Sequence, residues 1–406
     1  MTITSCRSCG AAPLDVVLSL GRTPLANSLL TAEQLDEPEE TYPLELAFCR
    51  GCSLLQITET VPPERLFRDY LYFSSYSDTM VRHAQVLVEE LIGSRDLDRS
   101  SLVVEVASND GYLLRFYREA GIPVLGIEPA GNVARVAREE HGIPTLCEFF
   151  DVELADRLVA DGKQGDVLHA HNVLAHAADL NGFVAGIERV VKPGGVAVVE
   201  VPYVKDMLDR CEFDTVYHEH LCYFSATSLH DLFRRNALAV EDVERVPVHG
   251  GSLRLAVGRG QPGAPVEALL DEEAGWGVGE VETYRAFGER VDRLKQSLRE
   301  LLTAVKGEGA RVAAYGAAAK GSTLLNSLNI GAETVDFVVD RSTHKQGLFM
   351  PGVHLPIYAP ETLLEKRPDY VLLLTWNLAD EILEQQDAYR RAGGKFIVPV
   401  PEPQVV

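Results

Sequence analysis

The stretch from Leu102 to Asn132 constrains this chain most. Leu102-Val-Val-Glu-Val106 is an apolar, β-branched run with the length of a buried parallel strand. Ser108-Asn109-Asp110-Gly111 follows as a tight turn with helix-capping character, and Leu113, Phe116, Tyr117 and Ala120 then recur at helical spacing. A second strand, Val124-Leu-Gly-Ile, runs up to Glu128, about 20 residues after Glu105. Strand, turn, helix, strand and terminal acid make half of a nucleotide-binding α/β unit, in which the acid accepts hydrogen bonds from ribose hydroxyls.

The ligand narrows further. A dinucleotide fingerprint needs glycines where this chain has Ala107 and Asn109, and Glu105 standing near a phosphate position favours a cationic ligand. The run resembles the acid-rich first motif of class I S-adenosylmethionine (SAM) methyltransferases, Glu-x-Gly-x-Gly-x-Gly, with Gly111 alone kept. Asp166-Val-Leu-His-Ala-His-Asn172 reads as a strand running into an active-site loop. Val191-Lys-Pro-Gly-Gly195 before Val196–Val201 resembles the helix end, turn and fifth strand of the same enzymes. The expectation is a SAM site contacted by Glu105, Ala107, Asn109, Gly111, Glu128 and Asn172.

Two knuckles, Cys6-Arg-Ser-Cys9 and Cys49-Arg-Gly-Cys52, stand near the amino terminus. Two-residue spacing lets both thiolates of a knuckle reach one ion, and two knuckles close a tetrahedral shell with no open position. That predicts a structural zinc. Alternating Tyr42, Leu44, Leu46 and Phe48 lead into the second knuckle as a strand. Beyond Pro62-Pro63, a tyrosine- and serine-rich run from Tyr70 to Asp78 precedes a helix with Asp78 as its cap and Val81, Ala84, Val88 and Leu91 as its apolar face. Tyr70 and Tyr72 read as packing at a domain seam, Tyr76 as a cleft residue.

With 406 residues the chain is too long for one core and divides into two or three domains. A formal charge of −22 argues against nucleic acid and anionic membrane surfaces as partners. The first residues lack the basic and apolar regions of a secretory signal, and no apolar run approaches the roughly 20 residues of a membrane span. Seven cysteines, four of them in knuckles, fit a reducing cytoplasm better than a disulfide framework.

Two histidine-bearing stretches carry candidate chemistry: His169-Ala-His171-Asn-Val-Leu-Ala-His176 and Val216-Tyr217-His218-Glu219-His220-Leu221. His218 and His220 are two apart, where a helical metal site needs four, which disfavours a second zinc. Proton transfer fits better. A histidine removes a proton α to a carbonyl, a carboxylate stabilises the imidazolium, and a tyrosine donates to the forming enolate.

The paired knuckles, Glu105–Gly111, Asn172–His176, Tyr217–Leu221, His249-Gly-Gly-Ser-Leu-Arg254 and Tyr315-Gly-Ala-Ala-Ala-Lys-Gly321 together resemble the C-methyltransferases of deoxysugar biosynthesis. The likeness covers essentially the entire chain. It implies methylation of a carbon next to the ketone of a dTDP-4-keto-6-deoxysugar, C3 before C5. His220 would be the base, with Tyr217 and Glu219 assisting and His176 and Tyr76 lining the cleft.

In the last third, Tyr284, Phe287, Val291, Leu294, Leu298, Leu301 and Val305 predict a long amphipathic helix that packs between domains. A second strand–helix–strand–acid unit runs from Val312 to Asp340. Its small-residue turn with Lys320 suits a phosphate, and the resemblance implies that Lys320, Tyr315 and His249 help to hold the substrate's nucleotide diphosphate. The expected architecture is α/β, with a zinc-binding domain (1–66), a class I SAM methyltransferase domain (67–262) and a Rossmann-like carboxy-terminal domain (263–406), in a monomer. The competing readings are an O- or N-methyltransferase, a NAD-binding oxidoreductase and a zinc-bearing interaction protein.

Overall fold

The computed structural model describes residues 1–67, 73–248 and 250–406. Tyr70, Tyr72 and His249 therefore lie outside the described residues.

Three strands open the chain: β1 (Asp15–Thr23), β2 (Tyr42–Phe48) and β3 (Leu55–Ile57). The middle alternates β4 (Val103–Val106), β5 (Val124–Ile127), β6 (Thr145–Leu146), β7 (Gly165–His171) and β8 (Val191–Pro202) with helices. A short β9 (Cys222–Tyr223) precedes the antiparallel pair β10 (Ala239–Val246) and β11 (Ser252–Gly258). The last third carries β12 (Val312–Tyr315), β13 (Val338–Val339), β14 (Ile357–Tyr358), β15 (Tyr370–Leu373), β16 (Lys395–Val398) and β17 (Gln404–Val405).

These strands form three sheets. The central one has the order β10-β11-β8-β7-β4-β5-β6, parallel from β8 to β6, with β11 antiparallel to β8. Chain order reverses between β4 and β7, so the crevice beyond their carboxyl ends is the topological switch point where α/β sheets bind ligands. The carboxy-terminal sheet, β14-β13-β12-β15-β16-β17, has a second switch point between β12 and β15. Valine- and leucine-rich strands suit both sheets, since β4 and β15 are covered on two faces, and the few polar side chains within the central strands, such as Glu105, are buried. The amino-terminal sheet is antiparallel with the order β1-β2-β3-β9. Its fourth strand thus comes from far along the chain, directly after the Tyr217–Leu221 run.

Local details depart from the sequence reading in three places. Ser77, and not Asp78, caps the helix Asp78–Ser94, its Oγ accepting from the Met80 N–H at 3.3 Å. His169 and His171 belong to β7, so the loop begins only at Asn172. The Lys-Pro-Gly-Gly segment is an outward excursion within β8, whose pairing jumps from Gly165↔Val191 to Val167↔Val196.

The long helix appears as Val281–Gly307 and buries Tyr284, Phe287, Val291, Leu294, Leu298 and Val305, while Leu301 is only partly covered. It lies on β1, and Tyr284 stacks on Phe48 with ring centroids 4.2 Å apart. Gly288 permits that approach: a Cβ there would stand 2.4 Å from the Val17 carbonyl oxygen. Gly288→Ala should push the helix off the strand, lower stability by about 1–3 kcal/mol and leave neighbouring Glu289→Ala as a benign control; chemical denaturation of the two variants checks this.

Candidate active site

The turn after β4 keeps the backbone of a glycine-rich loop with little of its glycine. Ala107, Asn109 and Gly111 have φ of 55°, 50° and 81°, all left-handed. A side chain in that region costs about 1–2 kcal/mol, so two strained residues are held by their surroundings. The Asn109 side chain accepts from the Ser74 N–H at 2.9 Å, and Asp110 accepts from Ser75 N–H at 3.2 Å. Gly111 has no alternative, since a Cβ there would meet Ile143 at 2.7 Å.

Glu128 directly follows β5, and its two carboxylate oxygens accept the Asn109 and Ala130 N–H groups, each at 2.9 Å. Burial pushes its carboxyl up to about 7 against the pull of those two amides, and Asp110 adds to the rise. Glu105, 1 % exposed, is pushed well up by burial and by Asp110 and Glu128. Glu105 Oε2, Ser108 Oγ, Asp110 Oδ1 and Asn172 Oδ1 are buried without a hydrogen-bond partner among the described residues. A concentration of buried acceptors and acids fits a ligand rich in hydroxyl donors and positive charge, as SAM is. Asn172 sits across the crevice with φ 53°, its N–H donating to the Glu200 carbonyl at 2.8 Å.

Behind the turn lies a buried polar row that the sequence reading missed. Glu200 meets His83 Nε2 at 2.9 Å and Arg254 Nε at 2.7 Å, with the His171 ring 3.5 Å away. His171 continues to His169 at 3.0 Å, and His169 to the Tyr117 hydroxyl at 2.9 Å. Burial would raise Glu200, but His171, His83 and Arg254 outweigh it and hold the carboxyl below its usual range. Cross-strand register aligns the row: His171, Glu200 and Arg254 are consecutive partners on β7, β8 and β11.

The second histidine stretch closes the crevice. His220 Nδ1 faces the Thr215 carbonyl at 3.2 Å and so carries the hydrogen, leaving Nε2 to accept from the Tyr217 hydroxyl at 2.9 Å. The His176 ring lies edge-on to His220, centroids 5.0 Å apart. Burial pulls His176 down to about 4, against the Glu219 and Asn172 backbone, so it is neutral at physiological pH. Glu219 is buried and pushed up to about 7 by burial; the Asn27 side-chain N–H, 2.7 Å away, pulls the other way. His218 turns aside and donates to the Pro43 carbonyl at 3.1 Å, a structural contact. Tyr76 is not gathered into this group: it is 75 % exposed and packs on Phe73.

The carboxy-terminal turn repeats the first one's wiring. Asp340, directly after β13, accepts the Ala317 N–H at 2.7 Å and the Ser342 N–H at 2.8 Å. Lys320 reaches Asn377 at 3.1 Å and lies 4.7 Å over the Trp376 ring. Lys345, which the sequence reading passed over, binds the Ala317 carbonyl at 2.8 Å on the same turn. Tyr315 is buried in the sheet's core, its hydroxyl without a hydrogen-bond partner among the described residues.

Cys6, Cys9, Cys49 and Cys52 converge, with all four sulfurs within 4.8 Å of one another. The Cys6–Cys52 and Cys9–Cys49 separations are 3.6 and 3.5 Å, close to the roughly 3.8 Å edge of a tetrahedron with Zn–S near 2.3 Å. The Ser8 N–H and Gln56 side chain reach the Cys6 sulfur at 3.4 and 3.3 Å, as thiolate acceptors require. The donor set suits zinc and leaves no position for chemistry.

The central sheet order and its acid-tipped turn define a class I methyltransferase fold. The chain is 37% identical over 408 residues to C-methyltransferase NovU of Streptomyces niveus, covering 100% of this chain and 97% of that protein, and it belongs to this C-methyltransferase family. Family models agree in parts: "Putative zinc binding domain" over residues 6–67, "Methyltransferase domain" over 80–243 and "C-methyltransferase C-terminal domain" over 247–401. A ubiquinone biosynthesis O-methyltransferase of Methylobacterium is 31% identical over 97 residues, 23% of this chain and 38% of its own. Among solved structures, magnesium protoporphyrin IX methyltransferase of Synechocystis overlaps 44% of this chain and 83% of its own, at 13% identity and TM-score 0.37. The protein is a SAM-dependent C-methyltransferase with a zinc-binding amino-terminal unit. No helix among the described residues is long and apolar enough to cross a membrane.

Two predictions follow from these sites. Zinc analysis should return about one ion per chain. Cys49→Ser should lose it together with activity, because β9 hangs on the zinc-bearing sheet, while SAM affinity changes less. If Glu128 takes the ribose hydroxyls of SAM as a carboxylate, SAM affinity should weaken as pH falls below about 7. Glu128→Ala should cost about tenfold or more in affinity and remove that pH dependence, as read by titration calorimetry.

Proposed function

We propose that this enzyme methylates the carbon next to the ketone of a dTDP-4-keto-6-deoxysugar, at C3, through an enolate. The Tyr217–His220 pair at 2.9 Å carries the reading. With Nδ1 engaged by Thr215, the lone pair on His220 Nε2 points to a hydroxyl that forms enolate chemistry's natural companion. When the substrate ketone takes the Tyr217 O–H, the His220 Nε2 lone pair is released to remove the proton α to that ketone, Tyr217 donates to the developing enolate oxygen, and Glu219 as an anion favours the imidazolium. His176, neutral and edge-on to His220, lines the sugar's place. SAM, when bound, supplies an electrophilic sulfonium methyl for the carbon nucleophile to attack. Heteroatom methylation would need no loss of an α-proton and no donor to an enolate oxygen.

On the donor side, Glu105, Ala107, Asn109, Gly111, Glu128 and Asn172 are assigned to SAM. Support comes from the left-handed turn and from Glu105, Ser108, Asp110 and Asn172, whose buried acceptors have no partner among the described residues. The nucleotide diphosphate is assigned to the carboxy-terminal turn, with Lys320 as the principal cation and Tyr315 and His249 in supporting places. The wiring of Asp340 to the turn, which repeats that of Glu128, supports this assignment. The methyl acceptor is thus a small molecule that lies between two switch-point crevices.

His220→Asn should lower turnover by about 10²–10⁴-fold and leave SAM affinity intact. Wild-type enzyme with substrate and S-adenosylhomocysteine in D₂O should take deuterium into the carbon that is methylated, and His220→Asn should not. A methylated product without such exchange, its methyl on oxygen or nitrogen by mass fragmentation, would overturn the enolate reading.

A further inference from the structure

We infer that Asn27, on the amino-terminal zinc-bearing unit, is a positioning residue for methyl transfer, which it serves by fixing the Glu219 carboxylate. The inference rests on the role proposed above for Glu219. Asn27 and Glu219 are far apart in the chain, yet Asn27 Nδ2 donates to Glu219 Oε1 at 2.7 Å. Among the described residues Asn27 is the sole hydrogen-bond partner of that carboxylate, which is only 4 % exposed.

The segment that presents Asn27 is pinned on both sides. Before it, Thr23 pairs with Tyr42 at the end of β1, and Leu25 and Ala26 are buried. After it, Leu30 and Phe349 exchange backbone hydrogen bonds at 3.0 and 2.8 Å, tying the segment to the carboxy-terminal unit. Within it, the Ser28 N–H donates to the Leu25 carbonyl and the Leu29 N–H to the Asn27 carbonyl, forming a tight turn. A carboxamide on so fixed a backbone offers its N–H in one direction. It does so without adding charge, where a lysine or arginine would neutralise the carboxylate that must face the imidazolium.

Burial alone drives Glu219 toward its neutral form, and the Asn27 N–H opposes it. Removing the donor therefore weakens the anion's hold on the base and lets the carboxylate wander. The His176 ring near the Glu219 backbone is held neutral by burial, and among the described residues no salt bridge to the Glu219 carboxylate is present, so Asn27 alone opposes the effect of burial on it.

Asn27→Leu and Asn27→Ala are compared with wild type, and each is combined with Glu219→Gln. The inference expects kcat down by about tenfold or more, with acceptor KM and SAM affinity within about twofold. The acidic limb of the kcat profile should move up by about one pH unit. In the Glu219→Gln background, removing Asn27 should cost nothing further. Unchanged zinc content and SAM affinity certify a folded protein. Losses that multiply in the double variants, or a limb that stays in place, would overturn the inference. Normal turnover of Glu219→Gln would instead sink the role proposed for Glu219, whereas an impaired Glu219→Gln beside a normal Asn27→Leu sinks the Asn27 inference alone.

Discussion

The run from Asp214 to Tyr223 is held at almost every residue by a different part of the chain, and the rest of the site depends on that restraint. Trp376 donates to Asp214 at 2.7 Å and Thr323 to the Val216 carbonyl at 3.2 Å, both from the carboxy-terminal unit. Pro43 and Asn27 of the amino-terminal unit take His218 and Glu219. The Leu221 N–H donates to Ala175 of the central unit at 2.8 Å, and the Leu221 carbonyl accepts from Ile57 at 3.0 Å. A loop of this length in solution would sample many conformers; here the entropy of ordering it is met by contacts to the amino-terminal, central and carboxy-terminal units. The zinc-bearing unit is in this sense part of the active site, since β3 receives the loop's exit strand β9.

The same restraint makes the buried acids tolerable. Glu105, Glu128, Glu212 and Glu219 are buried carboxyls, and burial pushes Glu128, Glu212 and Glu219 up to about 7. Each of these three disfavours folding as pH rises: the unfolded carboxyl ionises near 4.3, while the folded one stays protonated toward about 7. Stability from these groups is fully present below the unfolded pKa and is lost as pH rises through the folded one. A ligand bringing hydroxyl donors and positive charge to Glu105 and Glu128 would favour their ionised forms, so acids that weaken the bare fold at that crevice would favour binding.

Two turns, after β4 and after β12, solve one geometric problem with different residues. In each, an acid following the next strand accepts an amide of the turn, Glu128 from Asn109 and Asp340 from Ala317. The first accepts strain at Ala107 and Asn109 and surrounds its ligand with acids; the second uses Gly316, whose Cβ would meet Thr375 at 2.6 Å, and carries Lys320 and Lys345. The two turns thus set opposite electrostatics on a shared backbone plan, acids at one crevice and lysines at the other.

Much of this was legible from residue order. Strand-length apolar runs, the cysteine spacing and the acid after each second strand depend on local periodicity and ligand geometry, so they announced the α/β units, the thiolate cluster and Glu128 without reference to distant contacts. Family-specific motifs brought Tyr217, Glu219, His220 and His176 to attention, and the fold brings these four together. Tertiary structure alone decided the rest. Whether His169 and His171 lie in a loop or inside β7 turns on register with β4 and β8, which no local signal encodes. That β9 completes the amino-terminal sheet depends on pairing two residues with a strand more than a hundred positions earlier. Asn27 carries no signal in the local sequence because its partner is set by how three units dock, and the ring of Tyr76, expected in a cleft, stands in solvent. Periodicity is a property of neighbours in sequence, whereas a hydrogen bond across the fold exists only once the cores on either side have packed.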